Sequence, residues 1–124
     1  MSRPWFARET GSIRQARYRA KQGWNEVCPI PGCYRKPTDA HHTLVRRDPD
    51  DPMLYHPYNI TMVCSLHHVP EHPRLGYYCM RYKFRIQGYT PELVELWLEE
   101  YNEQRKCNVT LPEFYYEAVM DCFG

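Results

Sequence analysis

Apolar positions along this chain of 124 residues follow a helical period in the C-terminal half and a shorter, strand-like pattern before it. Leu93, Val94, Trp97, Leu98 and Tyr101 recur at helical spacing. Thr90-Pro91-Glu92 supplies the start, with Thr90 as cap and Pro91 at the first helical position. Thr110-x-x-Glu113 reads as a capping box opening a last helix, with Phe114, Tyr115, Ala118, Val119 and Cys122 on its apolar face. Both stripes are expected to be core. Residues 75–86 fit two templates: Leu75, Tyr78, Tyr82 and Ile86 keep helical spacing, while Tyr82, Phe84 and Ile86 alternate with Arg81, Lys83 and Arg85 like a strand. Their length favours helix.

Upstream, residues 38–45 favour a strand by β-branched content, and Ile60–Val63 is a second short one. Residues 46–58 between them, with three prolines and three aspartates, are loop. Ser65 is a good N-cap for a helix that Pro70 and Pro73 keep short. Pro29, Pro31 and Gly32 make residues 28–37 a loop or knuckle. Nearer the N-terminus, Ser12 and Gln15 fit a capping box, Gly23 is a stop, and Arg14, Arg17 and Lys21 make the helix between them basic.

Composition narrows the class. A chain of this length is expected to form a single domain, 1–124, with a modest core. Its 43% hydrophobic and 25% charged residues are ordinary for a soluble protein. No apolar run approaches the roughly 20 residues needed to span a membrane, and no apolar stretch follows the N-terminus as in a secretory signal. A cytoplasmic, reducing location is therefore the expectation, in which cysteines serve metal sites rather than disulfides. The net charge of +1 hides an asymmetry: residues 1–47 hold ten Lys/Arg against three acids, residues 48–124 six against twelve. A basic half points to a polyanionic partner, nucleic acid first.

Three of the six cysteines and all the candidate ligand histidines lie between Cys28 and His72. Zinc prefers four Cys or His ligands in a tetrahedron, which two closely spaced pairs can supply. Cys28-x4-Cys33 is one such pair and Cys64-x2-His67 the other, although the adjacent His68 leaves the fourth ligand open between the two histidines. Cys79, Cys107 and Cys122 lie on apolar faces and read as core. That leaves His41, His42, His68 and His72. His41 and His42 on a strand would face opposite ways, so that one can bind a metal while the other takes a proton from water. His68 and His72 would share a face of a continuous helix.

Ala40-His41-His42 on the first strand, Asn59 before the second, Cys64-x2-His67-His68 at the helix and the flanking Cys28-Pro-Ile-Pro-Gly-Cys33 together resemble the zinc-binding subset of the HNH endonucleases. The resemblance covers residues 12–72 and implies an α+β fold. It has a small ββα-metal core with a zinc knuckle, a basic N-terminal helix and, over 75–124, a mostly helical extension. Carried over, it makes His41 and His68 ligands of a catalytic divalent metal (Mg²⁺, Mn²⁺, Ni²⁺ or Zn²⁺), His42 the general base and Asn59 the residue that holds the loop and orients His42. His72 falls where some members place a further metal or phosphate contact. Two departures are visible: the last zinc ligand is a histidine rather than a cysteine, and Pro70 and Pro73 interrupt the helix that would carry His72.

The expected activity is metal-dependent hydrolysis of phosphodiester bonds in double-stranded or branched DNA, by a stand-alone endonuclease or nickase. Such small members are common in phages, which would place it in the bacterial host cytoplasm. Arg35, Lys36, Arg46 and Arg47 flank the first strand and are candidates for phosphate contacts. A zinc-stabilised nucleic-acid-binding module without cleavage, and a protein whose acidic C-terminal helices dock a partner, are the competing readings.

Overall fold

The computed structural model describes residues 25–48 and 50–124. The basic segment expected over residues 12–23 lies outside them. Among the described residues two strands and four helices follow in order: β1 (Asp39–His42), β2 (Ile60–Val63), α1 (Ser65–His68), α2 (Leu75–Arg85), α3 (Pro91–Arg105) and α4 (Glu113–Phe123). The fold is α+β. β1 and β2 pair antiparallel, with His41 opposite Thr61 and His42 opposite Ile60. No helix among the described residues is long and apolar enough to cross a membrane.

The sheet is shorter than the β-branched run suggested. β1 ends at His42: Thr43 N–H still donates to the Asn59 backbone carbonyl, but the two amides after it are taken by a side chain instead of a strand. Leu44 and Val45 N–H both donate to Asn59 Oδ1, at 2.9 and 2.8 Å. The loop that follows contains a short 3-10 turn, Pro52–Tyr55, capped by Asp51, whose carboxylate accepts from Met53 N–H. Asp51 is also gripped in a fork by Arg105 of α3, with both contacts at 2.7 Å. Burial opposes ionisation of this carboxyl, but Arg105 outweighs it and holds its pKa below the ordinary range.

Helix starts follow the proline signals more closely than the caps. α3 begins as expected, Thr90 Oγ1 accepting from Leu93 N–H. α1 has Cys64 as its N-cap, and Ser65 is the first helical residue. The capping box at Thr110 is not formed: α4 starts at Glu113 after Pro112, without a side-chain cap. Leu111 precedes a proline and is disfavoured from helical backbone, which forbids the earlier start.

α2 is helical, but its buried face is not the expected one. Tyr78 and Tyr82 are half-buried and Ile86 is exposed. Instead the helix divides its contacts. Leu75 and Cys79 pack with Cys28, Ile30, Cys33, Val63 and Cys64. Tyr77, Met80 and Phe84 join Leu44, Leu54, Val94, Trp97, Tyr101, Tyr115 and others in the main core. α2 and α4 approach closely at Gly76, where a Cβ would come within 2.5 Å of the Phe114 ring. Of the cysteines read as core, Cys79 is fully buried, whereas Cys107 and Cys122 are half-buried at the edge of the main core.

Candidate metal centre and adjoining pocket

The knuckle before β1 is a tight turn with a defined geometry. Pro31 and Gly32 occupy its centre, Gly32 has φ +79°, and Cys33 N–H donates to Ile30 O at 3.0 Å. A positive φ at the third residue of a proline-led turn requires glycine. The turn sets Cys28 and Cys33 side by side under the start of α1, which contributes Cys64 and His67. The ligand atoms of these four residues all lie within 4.8 Å of one another. This cluster selects His67 over His68 as the fourth member.

Their spacing fits a tetrahedral ion. With Zn–S about 2.3 Å and Zn–N about 2.0–2.1 Å, two sulfurs should sit about 3.8 Å apart and sulfur and nitrogen about 3.5 Å apart. Cys33 and Cys64 Sγ are 3.8 Å apart, and His67 Nδ1 lies 3.7 Å from Cys28 Sγ and 3.2 Å from Cys64 Sγ. The four can therefore hold a metal such as zinc. Burial pushes the Cys28 thiol up to about 11. Burial also opposes ionisation of Cys33, but the Arg35 backbone and the neighbouring thiols outweigh it and lower its pKa. Three thiols this close cannot all ionise without a cation among them.

On the other side of α1 is an open cavity of about 270 Å³ lined by Ala40, His41, His42, Arg46, His68 and Glu71. His41 is buried at its edge. Its Nε2 is 2.8 Å from the Arg46 guanidinium, which only donates, so Nε2 carries no proton and accepts. The ring proton therefore sits on Nδ1, 3.2 Å from Thr43 Oγ1, which is in turn 3.1 Å from Thr61 Oγ1. Burial, aided by Arg46, pushes His41 down to about 4, so the ring is neutral at pH 7. His68 is arranged similarly: its Nδ1 faces Asp39 Oδ2 at 3.0 Å. A carboxylate or hydroxyl on one ring nitrogen is the usual support for a histidine whose other nitrogen binds metal. The two rings lie edge to face with centroids 5.8 Å apart.

His42 stands against Tyr55, ring centroids 4.6 Å apart, and borders the same cavity. Asn59 is fully buried and meets its complete hydrogen-bonding capacity. Besides accepting from Leu44 and Val45, its Nδ2 donates to Val45 O at 3.0 Å and Leu54 O at 2.8 Å. It closes the β1–β2 loop and so fixes where β1 ends, directly after His42.

His72 is not brought to the cavity. α1 stops at His68 because Val69, before Pro70, takes extended backbone (φ −136°, ψ 108°). His72 instead packs on His67 and Tyr78, with Nδ1 accepting from Arg74 N–H. Glu71 takes the place beside His41 that a continuous helix would have offered to His72. Arg35 and Lys36 are exposed. Arg46 points into the cavity, and Arg47 is turned toward Tyr101 Oη, at 3.4 Å. Asp39, Thr43 and Glu71 received no role from the sequence. A polar residue flanking a His doublet is a weak signal, and Glu71 depends on a chain reversal at Pro70 that no spacing rule describes. Comparison with models of known protein families, with curated proteins and with solved structures returned no match.

Proposed function

We propose that this protein is a metal-dependent DNA endonuclease or nickase of the HNH type, built on a ββα-metal core. The observation that carries the reading is the cavity in which His41 and His68 each have one ring nitrogen anchored, with His42 also lining it. The order strand, loop, strand, helix, with a Cys/His cluster beside it, agrees with that core. Zinc at Cys28, Cys33, Cys64 and His67 would be structural. His41 and His68 would hold the catalytic divalent cation, which supplies charge stabilisation at the phosphate and the leaving 3′ oxygen.

The chain's own groups have separable tasks. His42 takes a proton from water as the water oxygen attacks phosphorus, and the bond to the leaving 3′ oxygen breaks. An imidazole, ordinarily titrating near 6.5, suits this exchange at neutral pH. Asn59 acts as a positioning residue through the backbone that follows His42. Thr43 and Asp39 keep His41 and His68 in the tautomers that leave their second nitrogens for the ion. Arg35 and Lys36 can meet phosphates of the duplex, contacts that set affinity and its salt dependence rather than sequence choice.

The test is conversion of supercoiled plasmid to open-circular or linear DNA by purified protein with Mg²⁺, Mn²⁺ or Ni²⁺. Wild type is expected to nick, and His42→Ala to lose about 10²–10⁴-fold of the rate while keeping its DNA affinity. DNA binding without nicking under any of the three ions would refute the nuclease and leave a binding module.

A further inference from the structure

Glu71 and Arg46 form an arrangement that the pocket's histidines alone do not explain. Glu71 Oε1 lies 3.3 Å from His41 Nε2. Since Nε2 accepts from Arg46, this contact sets one lone pair against another and is not a hydrogen bond. What holds the two acceptors together is the guanidinium, 2.8 Å from Nε2 and 3.0 Å from Oε1. A cation thus already sits between a histidine nitrogen and a carboxylate oxygen, in a cavity that His68 also lines.

We infer that Glu71, and not His72, completes the divalent-cation site with His41 and His68, and that the Arg46 guanidinium holds the ion's place until metal displaces it. The inference rests on the proposed metal-dependent function and names this chain's own ligand set. The donor set, two imidazoles and one carboxylate, is borderline and takes Mn²⁺, Ni²⁺, Fe²⁺ or Zn²⁺ with sites left for water and phosphate. Arg46 is built to leave. Its side chain is 54% exposed, and its Nε–H donates to His42 O at 2.9 Å, a hinge about which the head can turn toward solvent. Once displaced, it lies at the mouth of the pocket, where it would meet the phosphate that the ion binds.

Mn²⁺ titrated into zinc-loaded full-length protein and followed by electron paramagnetic resonance tests the ligand set without DNA. Glu71→Gln, which keeps the side chain's size and exposure, is expected to weaken Mn²⁺ binding at least about tenfold, the loss usual even for a residue that only supports a ligand. His72→Ala should stay within about twofold of wild type, with zinc content unchanged. Arg46→Ala should bind Mn²⁺ more tightly, since the competing cation is gone. As a second measurement, Mn²⁺ should broaden the ring resonances of His41 and His68 before those of His72. Loss of binding in His72→Ala with wild-type affinity in Glu71→Gln would overturn the assignment, as would a wild type that binds no Mn²⁺. Weaker binding in Arg46→Ala would overturn the displacement. The expected binding pattern without plasmid nicking would refute the nuclease alone, whereas nicking indifferent to Glu71 would refute the ligand set alone.

Discussion

The segment from Asn25 to His72 and the helical segment from Leu75 onward are stabilised by different physics. Of the eight buried polar or charged residues among those described, seven lie in the first: Asn25, His41, Thr43, Asp51, His56, Asn59 and Thr61. Only Lys83 lies in the second. The largest fully buried side chains, Trp97, Tyr101 and Tyr115, belong to the helices, and each ring removes about 150–250 Å² from water. The apolar cluster beneath the knuckle is small by comparison, and four of its seven residues are cysteines. Satisfied hydrogen bonds and, with an ion in the Cys/His cluster, ligand bonds would do there what aromatic burial does in the helices. A region held in this way can keep histidines and a carboxylate at fixed positions around a cavity, which a well-packed apolar core would fill.

Removing metal gives the largest expected effect and the sharpest break between the two. Strong chelation, or Cys64→Ser, should destabilise the first segment by more than about 5 kcal/mol, given that structural zinc commonly contributes about 10 kcal/mol or more in small domains. Hydrogen exchange of the β1 and β2 amides should become fast while Trp97 fluorescence and most helical circular dichroism persist. Simultaneous loss of both signals would show a single cooperative unit and erase the contrast. Asn59→Ala comes next. It strips partners from two amides and two carbonyls at the start of the main core, for an expected loss of about 2–4 kcal/mol by urea unfolding. Zinc content should not change. A loss below about 1 kcal/mol would mean that water replaces the side chain and that the loop is not held through it.

Legibility from sequence divides along the same line, for related reasons. α3 and four of its five stripe residues, Val94, Trp97, Leu98 and Tyr101, follow from spacing and a proline start, because burial on one helix face is a local pattern; Leu93, expected in the same stripe, is exposed. The two ligand pairs are also local, and the structure brings Cys28, Cys33, Cys64 and His67 together as the spacing suggests. Local patterns failed where one residue serves two neighbours. α2 is buried on both sides, so no single stripe describes it. β1 loses its last residues to Asn59, a partner fourteen or fifteen positions away. Glu71 was invisible because the extended backbone before Pro70 returns the chain to the sheet, and a helix template assigns that place to His72.

Lys83 belongs to the helical segment but reaches into the other, and it sharpens the comparison by the smallest expected effect. Its Nζ donates to Pro57 O at 2.5 Å and to Ile60 O. Burial pushes its pKa down to about 7, with Cys79 a smaller opposing influence. A neutral amine keeps two N–H donors, enough for both carbonyls. The unfolded chain holds this proton up to about pH 10.4, so above pH 7 it binds more protons than the native state. Stability should therefore rise with pH through this window, by at most about 1.4 kcal/mol per pH unit. Below about pH 7 both states are protonated, the dependence disappears and the cost of burying the charge is borne in full. Burial raises Cys79 to about 12, which opposes the trend once the unfolded thiol ionises, at about pH 8.5. The interval for the comparison is thus pH 7 to 8. The urea midpoint of zinc-loaded wild type should climb across it more steeply than that of Lys83→Met, which is less stable for want of the two hydrogen bonds and whose remaining slope comes from zinc ligands that regain protons on unfolding. A parallel climb in the variant would move the titrating group elsewhere. A flat wild type would mean that the ammonium stays charged, clamped by the two carbonyls of the first segment, so that the junction itself follows the polar physics of that segment rather than the apolar physics of the helices.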